Sequence, residues 1–190
     1  MFIRDELHFL RQWMRRPGEI GALVPSGRAL TSAIAGEIDV SSPGTVVELG
    51  PGTGCVTRAL LDVGLPAARL LAIERNEFFC MLLRERFPDV RVICGEAQAL
   101  GSLLKPAGAE PVATIVSSLP LLSLPGEVRR QILAAIFDVL ADDGVLIQYT
   151  YGLAQPVPAD LRAALNVAGR RTVRVLANIP PAAIWRYRRA

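Results

Sequence analysis

The order of apolar segments predicts an α/β fold with a doubly wound, mostly parallel seven-stranded sheet ending in an antiparallel hairpin. Three features lead there. Short apolar runs bounded by turn residues alternate with longer runs of helical period. The first run, Thr45–Leu49, passes through Gly50-Pro51-Gly52-Thr53-Gly54 into an amphipathic stretch, which reads as strand, glycine turn and helix. The last two runs have only Asn178-Ile179-Pro180-Pro181-Ala182 near their junction, too little for a crossover helix.

Residues 2–16 read as an amphipathic helix. At about 100° per residue, Phe2, Ile3, Leu7, Phe9, Leu10, Trp13 and Met14 fall on one half of the wheel. Arg4, Asp5, His8, Arg11, Gln12, Arg15 and Arg16 fall on the other, and Glu6 alone lies inside the apolar arc. Pro17-Gly18 ends this helix. Ser26 would cap a second one, from Gly27 to about Glu37, and Val40 to Gly44 reads as a linker. Strands are expected at Thr45–Leu49, Leu70–Glu74, Val90–Cys94, Ala113–Ser117, Val145–Tyr151, Thr172–Ala177 and Ile184–Arg188. Helices are expected at Val56–Val63, Glu77–Phe87, Gln98–Leu104, Pro125–Leu140 and Pro158–Leu165.

With 190 residues, 51% of them hydrophobic, the chain suits one domain with a sizeable core. An N-terminal helical segment, 1–39, would precede the sheet, 44–190. Mean hydropathy is high, at +0.34. No apolar run approaches the roughly 18 residues of a membrane span. The first residues do not follow the charged-then-apolar pattern of a secretory leader. A net charge of +3 permits an anionic partner without specifying one. Cys55, Cys80 and Cys94 lack metal-ligand spacing and read as free thiols. His8 lies on a polar face, and no metal site is expected.

The glycines carry the chemistry. Gly50, Gly52 and Gly54 fall at every second position, where positive φ lets a ligand lie on bare backbone. Glu48 stands two residues before them, an acid that a dinucleotide fingerprint normally lacks. Glu74 ends the second strand, where an acid takes ribose hydroxyls in nucleotide-binding sheets. Gly95-Glu96-Ala97 ends the third, and Ser117-Ser118-Leu119-Pro120-Leu121-Leu122 follows the fourth. Tyr149 and Tyr151 share one face of the fifth strand, Gln148 and Thr150 the other. The two phenols suit an amine or a methylated cation, or else are core or rim tyrosines.

Glu48 to Gly54, in the form Glu-x-Gly-x-Gly-x-Gly, resembles motif I of the class I methyltransferases. The resemblance implies S-adenosyl-L-methionine (SAM) as cofactor and S-adenosyl-L-homocysteine as product. Glu48, Gly50, Gly52, Thr53 and Gly54 would take the methionine end, and Glu74, beside Arg75, the ribose. Gly95, Glu96 and Ala97 would meet the adenine, with Glu96 where aspartate is usual. Ser117 and Leu119 would border the transferring methyl. Superfamily members that methylate adenine in nucleic acid carry Asn-x-Pro-Tyr after strand four. Ser118-Leu119-Pro120-Leu121 has neither that amide nor that ring, so no nucleic-acid partner is expected.

The wider pattern is more specific. Phe9-Leu10-Arg11-Gln12-Trp13, Arg16-Pro17, Ile20 to Ser26, Ser118 to Leu122, Gln148 to Gly152 and Asn178 to Tyr187 resemble the bacterial phospholipid N-methyltransferases of the non-integral type. That implies methylation of phosphatidylethanolamine, up to three times, toward phosphatidylcholine. It also implies a cytoplasmic enzyme held peripherally on an anionic membrane. Phe2, Arg4, Phe9, Arg11, Trp13, Arg15 and Arg16 would meet that surface, although core docking would bury the same apolar face. Tyr149, Tyr151 and Ser118 would orient the amine, with Glu6 as a further candidate contact.

Overall fold

In the computed structural model, residues 24–109, 111–151, 154–177 and 181–190 are described. The expected helix over 2–16, with Glu6 and the arginines of its polar face, lies outside them, as do Gly152 and Asn178–Pro180. The strands are β1 (Thr45–Leu49), β2 (Leu70–Glu74), β3 (Arg91–Cys94), β4 (Val112–Ser117), β5 (Leu140–Tyr151), β6 (Val167–Val175) and β7 (Ala182–Arg189). They form one sheet in the order β3-β2-β1-β4-β5-β7-β6. β1 to β5 pair in parallel, and β7 runs antiparallel to both β5 and β6. β2 is buried at every residue, as expected of a parallel strand covered on both faces.

The helices are α1 (Val24–Ala35), α2 (Cys55–Asp62), α3 (Glu77–Arg86), α4 (Leu100–Leu104), α5 (Gly126–Val139) and α6 (Ala159–Ala164). One core lies between the sheet and α1 to α3, where Leu30, Ile34, Leu60 and Leu83 meet Val46, Val116 and Ile147. The other lies under α4 to α6, where Leu100, Leu133 and Ile136 meet Val47, Ile115 and Leu146. α3 begins at Asn76, whose side chain accepts from the amides of Phe78 and Phe79.

Several boundaries differ from expectation. α1 starts at Val24, so Ser26 lies within its first turn rather than ahead of it. β5 begins at Leu140, with an irregular register where Asp142 and Asp143 interrupt the apolar run. β6 begins at Val167 because Gly169 leaves room for the Tyr187 ring; a Cβ there would lie 2.2 Å from it. The linker from Val40 to Gly44 is pinned by Arg69, whose guanidinium donates to the carbonyls of Val40, Ser42 and Gly44. Cys80 on α3 and Cys94 at the end of β3 are joined as a disulfide, so of the three expected free thiols only Cys55 is one.

Candidate active site

β1 and β4 are neighbours, yet the chain leaves them in opposite directions, β1 toward β2 and β4 toward β5. A crevice opens at such a switch, outside the carboxyl ends of the strands. The glycine turn enters it from β1 and the Ser117–Pro120 turn from β4. The Ser118 amide donates to the Leu49 carbonyl at 2.9 Å, which ties the two turns together.

Gly50, Gly52 and Gly54 have φ of 68°, 55° and 82°, the left-handed region that disfavours side chains. Their surroundings differ. A Cβ on Gly54 would lie 2.4 Å from Phe87 Cε2, so that glycine serves the packing of α3. A Cβ on Gly50 would lie 2.9 Å from Leu119 Cδ2. A Cβ on Gly52 would meet nothing within 4 Å, so the turn is bare at that point.

Glu74 lies beside the bare turn. Its Oε2 accepts from the Gly52 amide at 3.1 Å and its Oε1 from the Asn76 amide at 2.9 Å. The carboxylate fixes the glycine turn to the start of α3 and keeps acceptor capacity for two vicinal hydroxyls. Arg75 and Glu96 are exposed, Ala97 is half-buried, and the Gly95 amide donates to the Glu74 carbonyl. Thr53 flanks the turn, its hydroxyl 3.5 Å from the thiol of exposed Cys55.

Glu48 sits lower than its place in the motif suggests. It is wholly buried beneath the turn, where Thr57 donates to its Oε2 at 2.7 Å. Its Oε1 has no partner among the described residues. Burial pushes its pKa up to about 7; Thr57 pulls it down, and the charge of Glu74 pushes it further up. Glu48 offers no exposed oxygen to a ligand on the turn.

Register sets the other wall. Glu48 pairs with Val116 and Val116 with Ile147, so Ser118 and Tyr149 lie side by side two residues further on, on the same face. The Tyr149 phenol is pushed above the ordinary range by burial and then by Tyr151; the Ser118 hydroxyl draws it back, and Glu48 adds to the rise. Tyr151 stands edge-on to Tyr149, ring centroids 5.8 Å apart, and is exposed. On the opposite face Ser117 and Gln148 are buried, and Gln148 donates to the Leu119 and Tyr149 carbonyls.

The structure thus brings Gly50, Gly52, Gly54, Glu74, Ser118, Leu119, Tyr149 and Tyr151 around one crevice. The contributions of Thr57, Asn76 and Gln148 were not anticipated from sequence. An acid followed by a threonine on the next helix is a signal for the first of these, since a buried carboxylate needs a donor. Among the described residues no group of His, Cys, Asp and Glu is placed to hold a metal.

Residues 46–144 match the methyltransferase domain family. With this sheet and glycine turn, the chain belongs to the class I SAM-dependent methyltransferases, and SAM is its cofactor. Within that class it is 33% identical, over 78% of its own length and 79% of the relative's, to the ornithine lipid N-methyltransferase of Singulisphaera acidiphila. A ribosomal RNA small subunit methyltransferase A of Myxococcus xanthus is 40% identical over 89 residues, which are 30% of that protein. Among solved structures, the glycopeptide N-methyltransferase MtfA complexed with SAM superposes with a TM-score of 0.66 at 15% identity, covering 86% of this chain and 94% of that one. A TehB-like SAM-dependent methyltransferase from Corynebacterium glutamicum gives 0.60 at 13% identity, covering 98% and 99%.

The site suits this cofactor. A Cβ at Gly52 would meet nothing within 4 Å, and the Glu74 carboxylate beside it keeps acceptor capacity beyond its two amide partners.

Proposed function

We propose that this enzyme methylates the amine of a membrane lipid, phosphatidylethanolamine and its mono- and dimethyl derivatives, at a membrane surface. The observation that carries the reading is where the exposed large apolar side chains lie. Phe78 and Met81 at the start of α3, Leu122 after β4, Tyr151 at the end of β5 and Leu176 after β6 are 41–72% exposed. They lie in segments at or after the carboxyl ends of β2, β4, β5 and β6; Tyr151, Ala182 and Val175 are in register there. Val63 is the sole such residue elsewhere among those described. Apolar groups grouped at the mouth of an active site suit a substrate whose acyl chains remain in a bilayer. The similarity to a lipid N-methyltransferase supports the same substrate class.

The cofactor supplies a methyl group on a sulfonium. The lipid ammonium must lose a proton before it attacks. Tyr149 stays un-ionised at neutral pH, because burial holds its phenol above the ordinary range, so it acts as a neutral hydrogen-bonding partner. Tyr149, Tyr151 and the Ser118 carbonyl orient the amine, and in-line proximity supplies much of the rate. Arg11, Arg15 and Arg16 would take the phosphate from the N-terminal segment, with Glu6 a further contact to the amine. The enzyme would be cytoplasmic and peripheral to an anionic membrane.

A second substrate, an adenine amine of ribosomal RNA, draws on the similarity to the Myxococcus enzyme. A small soluble amine is a third. The test is transfer of labelled methyl from SAM, with phosphatidylethanolamine vesicles in one tube and ribosomal RNA in another. Label in the lipid fraction is expected. Label in RNA alone would reverse the assignment.

A further inference from the structure

We infer that Gln148 is a positioning residue for methyl transfer, tying back the Leu119 carbonyl so that the turn after β4 presents Ser118 to the acceptor amine. Gln148 is 1% exposed and pairs in register with Ser117. Its Nε2 donates to the Leu119 carbonyl at 3.0 Å and to the Tyr149 carbonyl at 2.7 Å. Only a group with two N–H bonds satisfies both carbonyls. The reversed amide would set its oxygen against two carbonyl oxygens, which fixes the orientation. The Oε1 is left buried without a partner among the described residues, a cost that an apolar residue would avoid.

Other polar groups of the turn are paired as well. The Ser118 amide donates to Leu49, and the Leu119 amide reaches the Ser117 hydroxyl. The Leu119 carbonyl also accepts from Leu121, and the Pro120 carbonyl accepts from Ser123. Proline has no N–H to offer. The Ser118 carbonyl has no donor among the described residues. It is the acceptor that the turn leaves for an incoming amine, while the Ser118 side chain faces the Tyr149 phenol. Gln148 also holds Leu119 over Gly50, so it couples the amine side of the crevice to the glycine turn.

This rests on the amine-methylating reading above. The test uses the full chain with Gln148→Leu and Gln148→Glu. It measures SAM affinity by calorimetry, kcat and KM on phosphatidylethanolamine vesicles from pH 6 to 9, and amide exchange across residues 117–123. The Leu variant is expected to lose about tenfold or more in kcat with SAM affinity held within about threefold. Its exchange rises in 117–123 and not across the sheet. In the Glu variant a protonated carboxyl donates one hydrogen bond and an ionised one repels both carbonyls. Its activity relative to wild type therefore falls as pH rises. Unchanged kcat in the Leu variant, or kcat and SAM affinity falling together with faster exchange throughout, would overturn the role. If wild type labels no lipid, the lipid reading fails by itself. Faster exchange confined to 117–123 would then still support the clamp, and unchanged exchange would end it.

Discussion

Thr57 on the first turns of α2 donates its hydroxyl to Glu48 at the end of β1, at 2.7 Å, with both side chains fully buried. The bond holds an acid whose other oxygen has no partner among the described residues. Burial raises the Glu48 pKa from 4.5 to about 7. The folded state therefore holds a proton that the unfolded chain has released between those values. The Glu48 contribution to stability is greatest below pH 4.5, declines as pH rises to about 7, and levels off above. A shift of this size corresponds to an effect on the order of 3 kcal/mol. Glu48→Gln is expected to remove that decline, measured as the difference in urea midpoints between wild type and variant across pH 4 to 8. Parallel pH dependence in the two proteins would contradict it.

The glycines of the turn divide into packing and ligand positions. Gly54→Ala forces a Cβ into Phe87 at a φ of 82°. Strain and overpacking together should cost about 2–4 kcal/mol of stability. Gly52→Ala meets open space and should cost only about 1–2 kcal/mol from its positive φ. Its methyl would stand on the face that a ligand must approach, so SAM affinity is expected to fall at Gly52 more than stability does. Denaturation and calorimetric titration of both variants measure the contrast.

Glu74→Gln should weaken SAM binding without unfolding the protein. The amide keeps one acceptor for the Gly52 or Asn76 amide but loses the charge and the second oxygen. Charge-assisted hydrogen bonds contribute about 1.5–3 kcal/mol each, which predicts a loss of tenfold to somewhat over a hundredfold in affinity. Glu96→Gln is expected to change affinity less, since its exposed side chain makes no hydrogen bond among the described residues.

Tyr149→Phe separates orientation of the amine from cofactor binding. The variant keeps the ring against Tyr151 and loses only the hydroxyl beside Ser118. A fall of about tenfold in kcat with unchanged SAM affinity is expected, because the hydroxyl acts on the acceptor. Glu6→Gln with unchanged turnover on liposomes would remove that residue as an amine contact.

What the sequence disclosed was local. The glycine turn, Glu74 at a strand end and the residues after β4 are placed by the strands that precede them, and pattern alone finds those strands. The missing features depend on distant partners. Gln148 looks like any strand glutamine until register sets it opposite Ser117 and within reach of Leu119. The start of β6 reads as polar loop because Gly169 is required by a ring on β7, not by its own neighbours. Spacing could not pair Cys80 with Cys94, since the packing of α3 against β3 brings them together. Glu48 shows acidity in the sequence but not depth, and depth decides how it acts.

The most direct measurement compares methyl transfer to phosphatidylethanolamine in vesicles with transfer to its water-soluble headgroup, glycerophosphoethanolamine, at equal amine concentration. Labelled lipid is expected at a rate that rises with the surface fraction of the amine lipid, with little label in the soluble analogue. Equal transfer to both, or label in neither, would contradict a lipid amine methylated at a membrane surface.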